Sequence, residues 1–152
     1  MQFSMSQASL PVFELHLNAL AAILDKAEAY AAAKKIDPAV LLRSRLSPDM
    51  FDLTRQVQVS TDQARRGASR LAKTVAYLKT LDGKKIDAAA EREIAFPLGP
   101  TTTGNMKGDD YLNHFLLPNF YFHVTSAYAI LRHLGVDIGK RDFLGGIPIK
   151  LS

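Results

Sequence analysis

Three stretches of this chain carry apolar residues at alternating spacings of three and four, a period that amphipathic helices satisfy and strands do not. In the first, Val12 or Phe13 is followed by Leu17, Leu20, Leu24, Ala27 and Ala31. In the second, Leu53, Val57, Ser60, Ala64, Ala68, Leu71, Val75 and Leu78 keep the same phase. The third carries Phe120, Val124, Ala127, Leu131 and Leu134. Each stripe must be covered by another, so the helices have to pack together. A chain of 152 residues is one domain by length. It can bury roughly two-thirds of its unfolded surface, enough to need neither disulfide nor metal.

The punctuation divides the helices. Ser9 is a candidate N-cap, with Pro11 in the first turn of a helix from about Leu10 to Lys35. Asp37-Pro38 and Ser47-Pro48 interrupt the pattern, and AVLLRSRL between them reads as a short helical turn. Ser47 caps a second helix with Pro48 in its first turn. Taken literally, that helix continues to Leu81, about 50 Å at 1.5 Å per residue, against about 40 Å for the first. Asp82-Gly83 closes this region. IAFPL, from Ile94 to Leu98, is a candidate strand, Gly99-Pro100 a turn and Thr101–Thr103 the return. Pro97 confines any pairing to a small edge hairpin. Gly108-Asp109-Asp110 opens the last helical region, Pro118 marks a bend or a fresh start, and Gly135 gives a left-handed stop. The Gly- and Pro-punctuated tail wraps the surface. The fold class expected is all-α: an antiparallel helix bundle in one domain, residues 1–152, with a minor β-hairpin before the last helix.

Composition excludes several functions. The chain has no cysteine, which removes disulfide scaffolds, thiolate metal sites and cysteine nucleophiles. Its N-terminus lacks the basic and apolar regions of a secretory signal. No run approaches the ~18 apolar residues of a membrane span. The expectation is a cytoplasmic protein with no membrane partner. The net charge is +4, and its basic doublets Lys34-Lys35, Arg65-Arg66 and Lys84-Lys85 are scattered. No aromatics interleave with them, so they read as solvated surface and not as a nucleic-acid patch. There is no P-loop, dinucleotide fingerprint or nucleophile elbow. His16 reads as a core or boundary histidine, and His133 as a cation at a helix C-terminus.

The chemistry concentrates in Asn113–Gly135, where Asn119 and His123 stand one helical turn apart beside the apolar stripe. On the second helix Gln56 occupies an equivalent position, three residues after Leu53 and four before Ser60. If the two helices face each other, one imidazole and two carboxamides converge inside the bundle. Such a trio either satisfies itself by internal hydrogen bonds or lines a site. As a metal centre it is poor, because amide oxygens are weak ligands.

The runs SLPVFELHLNALAAILDKAEAYA, DPAVLLRSRLSPDMFDLTRQVQ and DYLNHFLLPNFYFHVTSAYAILRHLGVDIGKRDFL resemble a mostly bacterial family catalogued as domain of unknown function nineteen-ninety-three. That family is similar to the wider DinB/YfiT-like superfamily of metalloenzymes. The resemblance implies a four-helix bundle, often a homodimer. It also implies three metal histidines: one in the second helix and a pair four apart in the last, the later one twelve residues before a helix-ending glycine. His123 and Gly135 reproduce that interval. The other two positions fall on Asn119 and near Gln56. The implied site therefore has His123 as catalytic base or sole metal ligand, with Gln56 and Asn119 binding substrate. It holds no cofactor or a weakly bound divalent metal, zinc or nickel. The functional expectation is small-molecule binding, or a degenerate metal-dependent transferase or hydrolase site; the alternative is a non-catalytic dimeric interaction protein. In the family resembled, RLA and KTVAYL are separated by roughly twenty residues, a common loop-plus-helix length. Either the chain carries a true deletion here or a segment is missing between Ala72 and Lys73; the second is preferred, and it predicts a break there, with the two Cα atoms well beyond the ~3.8 Å of a bonded pair.

Overall fold

The computed structural model describes residues 4–64 and 70–147. Helix α1 (Met5–Lys34) is followed by α2 (Pro38–Arg43), α3 (Leu53–Ala64), α4 (Arg70–Lys79) and α5 (Gly83–Asp87). Strands β1 (Glu93–Pro97) and β2 (Thr103–Lys107) form an antiparallel pair. A single turn, α6 (Gly108–Asp110), passes into a π-helical segment (Tyr111–Leu116) and then into α7 (Leu117–His133); α8 (Lys140–Leu144) follows. The protein is mostly helical with one small two-stranded sheet.

Helix α1 starts earlier than its sequence suggested. Ser4, not Ser9, is the N-cap, in a reciprocal capping box with Gln7. Pro11 thus lies inside the helix, where a missing N–H is costly in isolation. The first turn is anchored from outside the helix: the Ser6 N–H and Oγ both donate to the Asp87 carboxylate, at 2.8 and 3.0 Å. Those bonds hold the Asp87 carboxyl below its usual range and tie the first turn of α1 to α5. Helix α3 starts later than expected. Met50 N–H closes a turn onto Ser47 O, and Asp52 caps the helix by accepting from Arg55 N–H at 2.8 Å.

No single helix runs from Pro48 to Leu81. Helices α3 and α4 are separate and pack on each other; Arg65-Arg66 lies between them, outside the described residues. The expected break at Ala72–Lys73 is corrected: both are consecutive residues of α4. The division of the long apolar pattern into two helices already relieves the length mismatch that motivated it.

Helix α3 lies mainly against α7, and α1 against α4, α7 and α8. Leu17, Leu20, Leu53, Phe120, Ala127 and Leu131 sit at the centre of the core, at 0–1 % exposure. Phe13 meets Phe120 edge-on, ring centres 4.8 Å apart. One expectation about apolar runs is also corrected. Helix α1 has an 18-residue window of mean hydropathy 1.2, long and apolar enough by composition to cross a membrane. Its stripe of Phe13, Leu17, Leu20 and Ile23 instead forms one wall of the core.

The hairpin comes where expected, but its return strand is Thr103–Lys107, with Glu93 opposite Lys107 and Pro97 opposite Thr103. Phe96 anchors it, buried against Tyr111 and Phe115 at 4.9 and 4.4 Å. Pro118 stands in the first turn of α7, a fresh start as its position suggested. The preceding π-helical turns widen the backbone where a proline ring would otherwise strike the carbonyl one turn back and leave it without a donor. Gly135 stops the structure after α7 at φ +88°.

Candidate functional site

Helices α3 and α7 bring Gln56 and His123 together, at 1 % and 7 % exposure. His123 Nδ1 and Gln56 Oε1 are 2.7 Å apart. The orientation of the amide is fixed at its other end, where Gln56 Nε2 donates to Phe51 O at 3.2 Å. A carbonyl can only accept, so the NH2 group faces Phe51 and the amide oxygen faces the imidazole. Neutral His123 must then carry its proton on Nδ1 and donate it, which leaves Nε2 with its lone pair. Nε2 has no hydrogen-bond partner among the described residues. No side-chain nitrogen or oxygen shut away from solvent lacks a partner among them, so Nε2 is reached from outside.

The space next to it is a cavity of about 220 Å³ lined by Asp49, Met50, Phe51, Gln56, Phe122 and His123. Phe51 stacks on the imidazole (6.3 Å, 20°) and Phe122 meets it edge-on (5.2 Å, 87°). The Arg55 guanidinium lies over the Phe51 ring at 5.5 Å. Burial pushes the His123 pKa below its usual value, and the Arg55 charge pushes it further. At the mouth, hydrogen bonds from Ser47 Oγ and from its own backbone hold the Asp49 carboxyl below its ordinary range. A neutral imidazole acceptor and an ionised carboxylate therefore share a small cavity with aromatic walls.

Asn119 does not join them. Its Nδ2 donates to Phe115 O at 2.8 Å, satisfying a carbonyl at the junction between the π-helical segment and α7, and it does not line the cavity. His16 is buried and its Nδ1–H donates to Val12 O at 3.1 Å, as a core histidine should. His114 and His133 are exposed, and His114 lies 3.6 Å from Asp110.

The metal reading fits these residues badly. One imidazole nitrogen is open, and both polar atoms of Gln56 are committed. No group of three histidine, aspartate or glutamate side chains placed to hold an ion occurs among the described residues. Sequence reasoning missed the loop before α3. Phe51 supplies the carbonyl that orients Gln56 and a wall of the cavity, and Asp49 supplies its carboxylate. The available signal was position: both directly precede the helix that carries Gln56. Phe122, adjacent to His123, was passed over because it lies off the apolar stripe.

Comparison with known proteins agrees with this architecture. The model of the family described as Domain of unknown function (DUF1993) matches residues 5–74 and 67–144. Its two stretches overlap over residues 67–74, around the position where a break after Ala72 was expected. The fold is similar to the crystal structure of a DinB family member from Shewanella denitrificans, with a TM-score of 0.85 and 34% identity over 97% of this chain and 95% of that one. No functionally curated protein matches. The chain belongs to the DUF1993 family, within the DinB-like superfamily.

Proposed function

We propose that this protein is a DinB-like four-helix bundle, built from α1, α3, α4 and α7, that binds a small molecule in the cavity beside His123 without a resident metal. The observation that carries the reading is the 2.7 Å bond from His123 to Gln56, which leaves Nε2 as a fixed acceptor in a site with aromatic walls. A hydroxyl, thiol or ammonium group donating to Nε2 suits it, and Phe51 and Phe122 suit a flat or apolar body. At about 30 Å³ per water-sized group, the 220 Å³ cavity takes roughly seven such groups. Lowered pKa keeps the imidazole neutral near pH 7, the form a general base needs. The superfamily's transferase or hydrolase chemistry would then survive here only as proton abstraction by His123.

The test is a calorimetric screen of small alcohols, thiols and amines against wild type, His123→Ala and Asn119→Ala. Binding should vanish in His123→Ala and persist in Asn119→Ala. Near-stoichiometric zinc or nickel in tag-free protein, lost in His123→Ala, would replace this reading with a metal one.

A second reading, a homodimeric interaction protein, is supported by exposed apolar side chains. Phe122 and Phe51 are 56% and 49% exposed on the rim of the cavity, with Val40, Leu42 and Leu46 exposed on α2 and the loop after it. Sedimentation should then give a dimer for wild type and a monomer for Phe122→Glu, with His123→Ala still dimeric.

A further inference from the structure

An apolar cleft lies away from His123. It measures about 450 Å³ between the first turns of α1, the end of α4 with α5, and the π-helical segment. Leu10, Phe13, Leu78, Leu81, Ile86 and Leu112 make most of its wall. None of its lining residues lines the His123 cavity.

Two features indicate that this cleft is held open by construction. The paired hydrogen bonds from Ser6 to Asp87 fix one wall to the other. At the far end Gly108 lies so close to Ala89 that a Cβ would fall 2.1 Å from the Ala89 carbonyl oxygen. The Asp109 N–H donates to Ala90 O at 3.1 Å beside it. Protein interiors otherwise close such space, since each cubic ångström of unfilled apolar volume is destabilising.

The polar groups on the lining are unequal. Ser9 Oγ donates to Met5 O at 2.7 Å, and Asp82 Oδ1 caps α5 by accepting from Lys84 N–H at 3.0 Å. Both are committed to their own helices. The Lys85 ammonium has no ion-pair partner among the described residues, and neither does the Tyr111 hydroxyl have a hydrogen-bond partner there. Burial raises the Tyr111 pKa, so the hydroxyl stays a neutral donor. What remains uncommitted is one cation and one donor beside an apolar wall.

We propose that this cleft is a second binding site, for a small amphipathic carboxylate whose apolar body lies along Leu10, Leu81 and Leu112 and whose carboxylate meets Lys85 and Tyr111. At about 30 Å³ per water-sized group the volume admits roughly fifteen such groups, enough for a ten-carbon acid.

Calorimetry with decanoate, decanol and decylammonium, all below their aggregation thresholds, tests this on the full chain. Decanoate should bind saturably at one per chain, more tightly than decanol, with decylammonium weakest. Lys85→Met should weaken decanoate about tenfold, the size of one charge-assisted hydrogen bond, and leave decanol unchanged. Ala89→Phe should block all binding, and His123→Ala should alter none. Should Ala89→Phe fail to fold, the Lys85→Met comparison still decides. Equal affinity for decanoate and decylammonium, no loss in Lys85→Met, or non-saturable uptake of many molecules would overturn the proposal.

Discussion

Gln56 and His123 lie on different helices, 67 residues apart in sequence, yet their side chains form a buried hydrogen bond of 2.7 Å. Because Phe51 O holds the far end of the amide, this bond sets which imidazole nitrogen carries the proton. Nitrogen-15 NMR of the histidine ring should show His123 as the Nδ1–H tautomer at neutral pH. An Nε2–H signal would mean that the amide is reversed and that Nε2 is no acceptor.

Removing the partner should be costly. Gln56→Leu leaves the Phe51 carbonyl and His123 Nδ1–H without partners, and should destabilise the fold by about 2 kcal/mol in chemical denaturation. Gln56→Glu would place a carboxylate against the imidazole and should raise the His123 pKa measured by NMR. A downward shift in that variant would show that the two side chains are not in contact.

The lowered pKa of His123 makes a definite statement about pH. The unfolded chain takes up a proton on this residue near pH 6.5, while the folded protein resists it until lower pH. The contribution is therefore complete above about pH 6.5 and is lost as pH falls from there through the folded pKa. Thermal unfolding between pH 7.5 and 5 should give a shallower loss for His123→Gln than for wild type. Parallel curves would contradict the assignment.

Gly108 packs against the Ala89 carbonyl without room for a methyl group. Gly108→Ala should destabilise by about 2 kcal/mol through overpacking. Gly139→Ala, where nothing lies within 4 Å of the added carbon, should be close to neutral. Similar unfolding midpoints for the two variants would refute this.

Phe120 is fully buried and meets Phe13 edge-on. Phe120→Ala should cost about 3–5 kcal/mol. A smaller loss, below about 1 kcal/mol in a denaturant titration, would mean that the core collapses around the gap.

The helical stripes were legible because period is a local property: Leu17, Leu20, Leu53, Phe120 and Leu131 are buried as their spacing requires. The ends of the helices were less so. Ser9 with Pro11 resembles a helix start, but Ser4 has Gln7 three residues on and closes the capping box, and the bonds of Ser6 to the distant Asp87 hold that earlier turn in place. For the site, spacing placed Gln56 and His123 on inward faces but could not see rotamers. Asn119 shares the face of His123 and is diverted to the Phe115 carbonyl, a demand created by the π-helical register that no residue pattern announced. The cavity walls at Phe51 and Phe122 depend on how a loop folds back, which is set by tertiary contacts.

The π-helical turns before Pro118 carry one more implication. Such a segment accommodates roughly one residue beyond the regular helical count, and each residue in a helix advances direction by about 100°. The extra residue is thus absorbed between Tyr111 and Leu116 without turning α7 downstream. Trimming a single residue there would let the backbone relax to ordinary winding and leave the imidazole still turned towards Gln56, whereas trimming one from the regular turn between Leu117 and Phe122 would swing it by about 100°.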